Sequence, residues 1–191
     1  MKKAIFTLVL TILILVSCTG TKHAKQTAEV SQQDKVVELT FDFNRQSGHA
    51  TNQFAVWIED LNGQHVKTIY ATRFTANGGW RRRPNSIPIW VRQSGTADMT
   101  REQIDAVSSA TPRTGLLTYV WDGKNSIGIP VPDGVYFLIL EGTLRWENQV
   151  IYRAPIVLGQ GTAIAEIDAE YLGEAAAERS MISDVRVKVL R

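Results

Sequence analysis

Apolar and polar residues alternate one by one through several short stretches of this chain. That two-residue period commits each stretch to a strand with one buried face. Val37, Leu39, Phe41 and Phe43 alternate with Glu38, Thr40 and Asp42. Phe54, Val56 and Ile58 repeat the pattern within residues 52–60. Asn62-Gly63 follows as a hairpin turn, because both residues tolerate positive φ. Residues 65–73 return, with Val66, Thr68 and Tyr70 expected on one face and Lys67, Ile69 and Ala71 on the other. Further strands are expected at 116–121, 135–146, 150–158, about 162–172 and 181–190. Asp122-Gly123 and Pro132-Asp133-Gly134 supply turn chemistry, 147–149 turns the longest strand, and 174–179 is a helical turn. Seven to eight short strands without a βαβ rhythm predict an all-β fold, an immunoglobulin-like antiparallel β-sandwich.

The alternation stops between about residues 74 and 114, which predicts a long, partly helical insertion. Gly78-Gly79-Trp80-Arg81-Arg82-Arg83-Pro84 reads as a loop and residues 88–93 as a helical turn. Thr100-Arg101-Glu102-Gln103 fits a capping box and predicts a short helix over 101–107. Irregular segments this long in compact domains are commonly functional.

The N-terminus begins Met1-Lys2-Lys3 and runs uncharged through residues 4–16 to the chain's one cysteine, Cys18. A basic start and a short apolar run predict a signal peptide over 1–17, too short for a permanent span. Leu15-Val16-Ser17-Cys18 resembles the bacterial lipoprotein signal, which implies cleavage before Cys18 and its acylation. Several acyl chains anchor a protein stably. Thr19 is not the aspartate that retains enteric lipoproteins on the inner membrane, so the outer membrane is expected. Residues 18–35 are expected to form the lipidated N-terminus and a flexible tether, and 36–191 the single sandwich domain.

Removing 1–17 takes two lysines from the 21 basic residues and none from the 19 acidic ones, so the mature chain balances at zero. That excludes the basic excess of a nucleic-acid binder. One cysteine excludes an intramolecular disulfide framework and a cysteine-rich zinc site. His49 and His65 have no partner at ligand spacing, and no metal site is expected. Asp122, Lys124, Ser126 and Gly128 have a calcium-loop spacing, but Lys124 puts an ammonium where a carboxylate is wanted, so a structural turn is expected. No catalytic motif names a nucleophile and base, and no catalytic residue is assigned. Arg81, Arg82 and Arg83 beside Trp80 are candidate phosphate ligands.

Asp105-Ala106-Val107-Ser108-Ser109-Ala110-Thr111 is similar to the Asp-x-x-Ser/Thr-Gly-Ala-Thr sequence by which periplasmic flavin transferases recognise acceptor proteins. The resemblance implies covalent FMN on Thr111 through a phosphoester, with FAD as donor and Asp105, Ser108 and Ala110 as recognition residues. Ser109 stands where glycine is usual, and serine lacks glycine's freedom at positive φ. The segment Trp121-Asp122-Gly123 to Val135-Tyr136 also resembles the immunoglobulin-like module of flagellar hook-capping proteins, which supports the sandwich alone.

Asn52-Gln53-Phe54-Ala55-Val56-Trp57-Ile58-Glu59-Asp60, Thr72-Arg73-Phe74, Asp105-Ala106-Val107-Ser108, Trp121-Asp122-Gly123 and Glu141-Gly142-Thr143-Leu144-Arg145-Trp146 together look like an uncharacterised family of predicted bacterial periplasmic proteins, a domain of unknown function. This resemblance implies an extracytoplasmic redox setting with a flavin transferase and a membrane redox partner. Two expectations follow. One is a lipid-anchored electron carrier bearing FMN on Thr111, with Trp80, Trp90 and Tyr119 as ring-stacking candidates. The other is a non-enzymatic envelope module for binding or assembly, without a cofactor.

Overall fold

The computed structural model describes residues 36–190. The expected signal peptide, Cys18 and tether lie outside the described residues. Among the described residues ten strands form two sheets, and the fold is an all-β sandwich. The four-stranded sheet has the order β5 (Gly115–Trp121), β1 (Val36–Phe43), β10 (Ile182–Leu190), β8 (Ala163–Ala165). The six-stranded sheet has the order β4 (Ser108–Ser109), β3 (His65–Thr72), β2 (Gln53–Asp60), β6 (Gly134–Arg145), β7 (Asn148–Leu158), β9 (Asp168–Leu172).

The alternating residues fill the space between the sheets. Leu39, Phe41, Phe54, Val56, Leu140 and Val187 belong to this inner core. Phe54 packs edge-on to Phe41 at 5.6 Å and stacks on Tyr70 at 4.8 Å. Strand β2 is also buried on its other face, where Ala55 and Trp57 meet Ile87, Trp90 and Ile139. The insertion therefore forms a third layer over the six-stranded sheet. It comprises α1 (Arg73–Ala76), a 3₁₀ turn (Gly79–Arg81), α2 (Pro88–Gln93) and α3 (Arg101–Val107).

Buried polar side chains pin this layer. Glu141, fully buried, accepts the backbone N–H groups of Ile89 (3.0 Å) and Trp90 (2.7 Å) at the start of α2. Thr143 Oγ1 accepts from Ile87 N at 2.8 Å and donates to Asn85 O at 3.0 Å. Gln53 Oε1 accepts from Thr72 and Thr75 hydroxyls at 2.7 and 3.0 Å. The Glu141 and Thr143 bonds satisfy backbone groups that an apolar sheet face would leave unpaired.

Three expectations need correction. Thr68 and Tyr70 do not share a face: the β2–β3 register shifts between Val56 and Trp57, so Trp57 pairs with Thr68 and Ile69 is skipped. The bulge reverses the facing order. Tyr70 enters the inner core, while Thr68 accepts from the Trp90 indole N–H at 3.0 Å. The strand expected at 162–172 is two strands in different sheets, β8 against β10 and β9 against β7. The segment at 174–179 is a run of turns, closed by Ala176 N to Gly173 O and Arg179 N to Ala176 O. The Asn62-Gly63 turn forms as expected, with Asp60 Oδ1 accepting from Asn62 N and Gln64 N.

Candidate functional site

The segment that resembles a flavin acceptor begins on α3. Thr100 caps this helix: its hydroxyl accepts from Gln103 N, and Gln103 Oε1 accepts from Thr100 N at 2.8 Å. Asp105 is exposed on the helix, 3.9 Å from Arg101 one turn earlier. A pair this open contributes little to stability.

After Val107 the chain becomes extended. Ser108 and Ser109 form β4, pairing in parallel with Ala71 and Thr72 of β3. Sequence reasoning missed this strand, because two residues carry no period. Ser108 is buried, and its hydroxyl has no hydrogen-bond partner among the described residues. Ser109 has no positive φ, so the backbone freedom of glycine is not needed here. Ala110 is exposed, and its carbonyl accepts from the Tyr70 hydroxyl at 3.1 Å. Thr111 is half-buried in the irregular segment 110–114, and its hydroxyl bonds to no described residue.

Tyr70 anchors this segment from the inner core. Its ring lies 4.9 Å from that of Tyr119. Burial pushes the Tyr70 hydroxyl up to about 12 and raises Tyr119 further, so Tyr70 remains a donor at neutral pH. Segment 110–114 crosses from β4, at the edge of the six-stranded sheet, to β5, at the edge of the four-stranded sheet.

Because β3 and β4 are parallel, both chains leave the sheet at the same end. Past Thr72 lies Arg73, and past Ser109 lies Thr111. A cleft of about 490 Å³ opens between the α1–3₁₀ segment and α3; Arg73, just past β3, lines it, and Thr111 does not. Arg73, Trp80, Arg81, Arg101 and Asp105 are among its lining residues. The Arg81 guanidinium lies 4.7 Å from the Trp80 ring centroid. Gly78, at φ 83°, leaves room for it: a Cβ there would fall 2.8 Å from Arg81 Nη1.

The arginine run is therefore divided. Arg82 and Arg83 lie over Phe74 at 5.6 and 4.5 Å and do not line the cleft. Arg73 and Arg101 take their places. Arg101 is distant in sequence from Trp80, Arg73 lies at the start of the preceding helix, and the fold around α1 and α3 brings them together. Trp90 is fully buried, donating to Thr68, so it cannot stack on a ligand. Tyr119 is half-buried within the aromatic cluster.

A second cleft of about 350 Å³, on the other side of α3, is lined by His65, Gln103, Val107, Val120 and Ile127 among others. His65 Nε2 lies 2.8 Å from Thr68 Oγ1, and burial lowers its pKa to about 4, leaving the imidazole neutral. His49 is exposed. The Asp122 loop is a turn: Asp122 Oδ1 accepts from Lys124 N, Asn125 Oδ1 accepts from Ile127 N and Ile129 N, and Lys67 pairs with Asp122 at 2.8 Å. Among the described residues no cluster of three histidine, cysteine or acidic side chains could hold a metal, and no helix is long and apolar enough to cross a membrane.

Fold and site together define an all-β domain that carries its polar surface chemistry on a helical cover. The chain belongs to the family described as predicted periplasmic protein, DUF2271, whose model matches residues 34–174. A periplasmic family agrees with the exported chain expected from the N-terminus. No curated protein and no solved structure matches it.

Proposed function

We propose that this protein is a lipid-anchored periplasmic electron carrier that bears FMN on Thr111. The observation that carries the reading is the state of Thr111: half-exposed, outside any strand, and with a hydroxyl that engages no described residue. An acceptor alcohol must reach phosphorus inside another enzyme, and small exposed neighbours such as Ala110 leave it room. In the transfer, the Thr111 oxygen bonds to the FMN phosphorus of FAD and the pyrophosphate bridge breaks. AMP departs, and the hydroxyl proton passes to a base of the transferase. FMN, once held, supplies electron transfer to a membrane redox partner. This chain's own residues present the site: α3 displays Asp105, Ser108 anchors β4, and Tyr70 holds the Ala110 carbonyl. Acylated Cys18 would keep the domain at the membrane, with the outer membrane as the expected surface.

Co-expression with a flavin transferase should add one FMN mass and absorbance at about 450 nm, a property of the cofactor. Thr111→Ala should abolish both. Wild-type protein that stays unmodified with active transferase present would reject the reading. A cofactor-free docking module would then be favoured by the open face of the four-stranded sheet, where Leu116, Val120 and Ile164 are exposed.

A further inference from the structure

The cleft beyond β3 gathers three arginines and an indole on one surface. We propose that it is a noncovalent seat for an aromatic phosphate of the FMN class, with Arg73 and Arg81 holding the phosphate and Trp80 forming part of the ring-binding wall. The proposal deepens the flavin-carrier reading, but it concerns binding and not attachment.

Charge is the first argument. Arg73, Arg81 and Arg101 line the cleft against a single acid, Asp105. Asp105 faces Arg101 at 3.9 Å in an exposed pair, and the three arginines still outnumber it. Arg73 and Arg81 form no ion pair with any described residue. Two guanidinium groups without counter-charges suit a phosphate, whose oxygens accept several charge-assisted hydrogen bonds.

Preorganisation is the second. Arg81 rests on Trp80 and against Gly78, a position where a side chain would collide with the guanidinium. The Trp80 ring contact restricts an otherwise exposed guanidinium, so less freedom is lost on binding. The neighbouring Gly79 is the stricter position: a Cβ there would run into the Phe74 carbonyl oxygen and lie 2.7 Å from the Phe74 ring. The glycine pair thus lets the 3₁₀ turn close over Phe74 and bring Arg81 into the cleft. Size is the third argument, since a volume of about 490 Å³ falls within the range of small-molecule sites, roughly 300–1,000 Å³.

The test uses the full chain, produced in cells without a flavin transferase so that Thr111 is free. It is titrated with FMN, and separately with riboflavin, while flavin fluorescence is followed. FMN should bind at least tenfold more tightly than riboflavin, and its affinity should fall as salt is raised from about 50 to 300 mM, as expected for exposed charges. The double variant Arg73→Gln/Arg81→Gln should lose at least tenfold in FMN affinity. Arg82→Gln/Arg83→Gln removes the same charge outside the cleft and should change affinity less than twofold. The seat is overturned if FMN does not bind, if riboflavin binds equally well, or if the two double variants behave alike. Attachment is judged apart from this, by the mass of the wild-type chain co-expressed with transferase, so either idea can fail while the other stands.

Discussion

The two faces of the six-stranded sheet are built by different rules. The inner face meets the other sheet through side chains such as Phe54, Val56, Leu138 and Leu140, and water exclusion does most of the stabilising. The outer face has fewer apolar residues, gathered around Trp57 and Trp90, and it borrows fixed polar contacts from Gln53, Thr68, Glu141 and Thr143. Alternation alone suffices where sheet meets sheet. Where irregular chain must lie on a sheet, its unpaired backbone groups need partners, and the sheet supplies them from buried side chains.

The contrast can be tested by emptying each side. Phe54→Ala should cost about 3–5 kcal/mol, read from urea unfolding, and should lower the stability of the whole domain. Trp90→Ala should cost about 3–4 kcal/mol, but its signature differs. Limited proteolysis should cut within residues 74–107 while the strands from Gly115 to Leu158 remain whole. If both variants give the same whole-chain digestion, the faces form one cooperative unit and the distinction breaks down.

A smaller effect, in pH, sharpens the contrast. Burial raises Glu141 from 4.5 to about 7, so the native state keeps a proton that the unfolded chain releases. Its stabilising effect is full below pH 4.5 and is lost as pH rises to about 7. The shift corresponds to about 3 kcal/mol. Burial lowers His65 from 6.5 to about 4, so the unfolded chain takes up a proton that the native state refuses. Stability from His65 is full above pH 6.5 and is lost as pH falls to about 4. The two slopes oppose each other through the acid range. In urea midpoints taken from pH 4 to 8, Glu141→Gln should leave the histidine slope, rising with pH. His65→Gln should leave the glutamate slope, falling with pH. Profiles unchanged by either substitution would show that these groups do not govern acid behaviour.

The smallest expected effect belongs to α3. Thr100→Ala removes a capping hydroxyl and should cost about 1 kcal/mol. Amide exchange should quicken along residues 101–107 while strands β1 and β2 stay protected. Equal quickening everywhere would mean that α3 is not an independent edge of the cover.

The same contrast governs what the sequence makes legible. The inner-facing residues of β1 and β2 are readable because a period of two survives without knowledge of the partner. The Thr100 capping box is readable because its contacts are local. The bulge that turns Thr68 outward is hidden, since nothing local marks Ile69 as the extra residue. The break between β8 and β9 is hidden because residues 162–172 carry no sharp turn signal, and the strands part to join different sheets. In the candidate site, the 105–111 motif is visible as a string. Its burial order, with Ser108 inside and Thr111 half outside, depends on a two-residue parallel pairing. Arg73 and Arg101 could not be grouped with Trp80 from spacing alone. Trp90 shows the opposite error: an aromatic residue in an irregular region looked available, yet it fills the second core.

Segment 110–114 is a strap between two sheet edges, and its length sets a mechanical limit. From Ser109 to Gly115 a chain can stretch to only about 20 Å, while packed sheets already stand about 10 Å apart. The strap therefore has little slack to pay out. Whatever works on Thr111 must do so close to the domain wall, in a shallow mouth wide enough to take the side of the sandwich along with the residue.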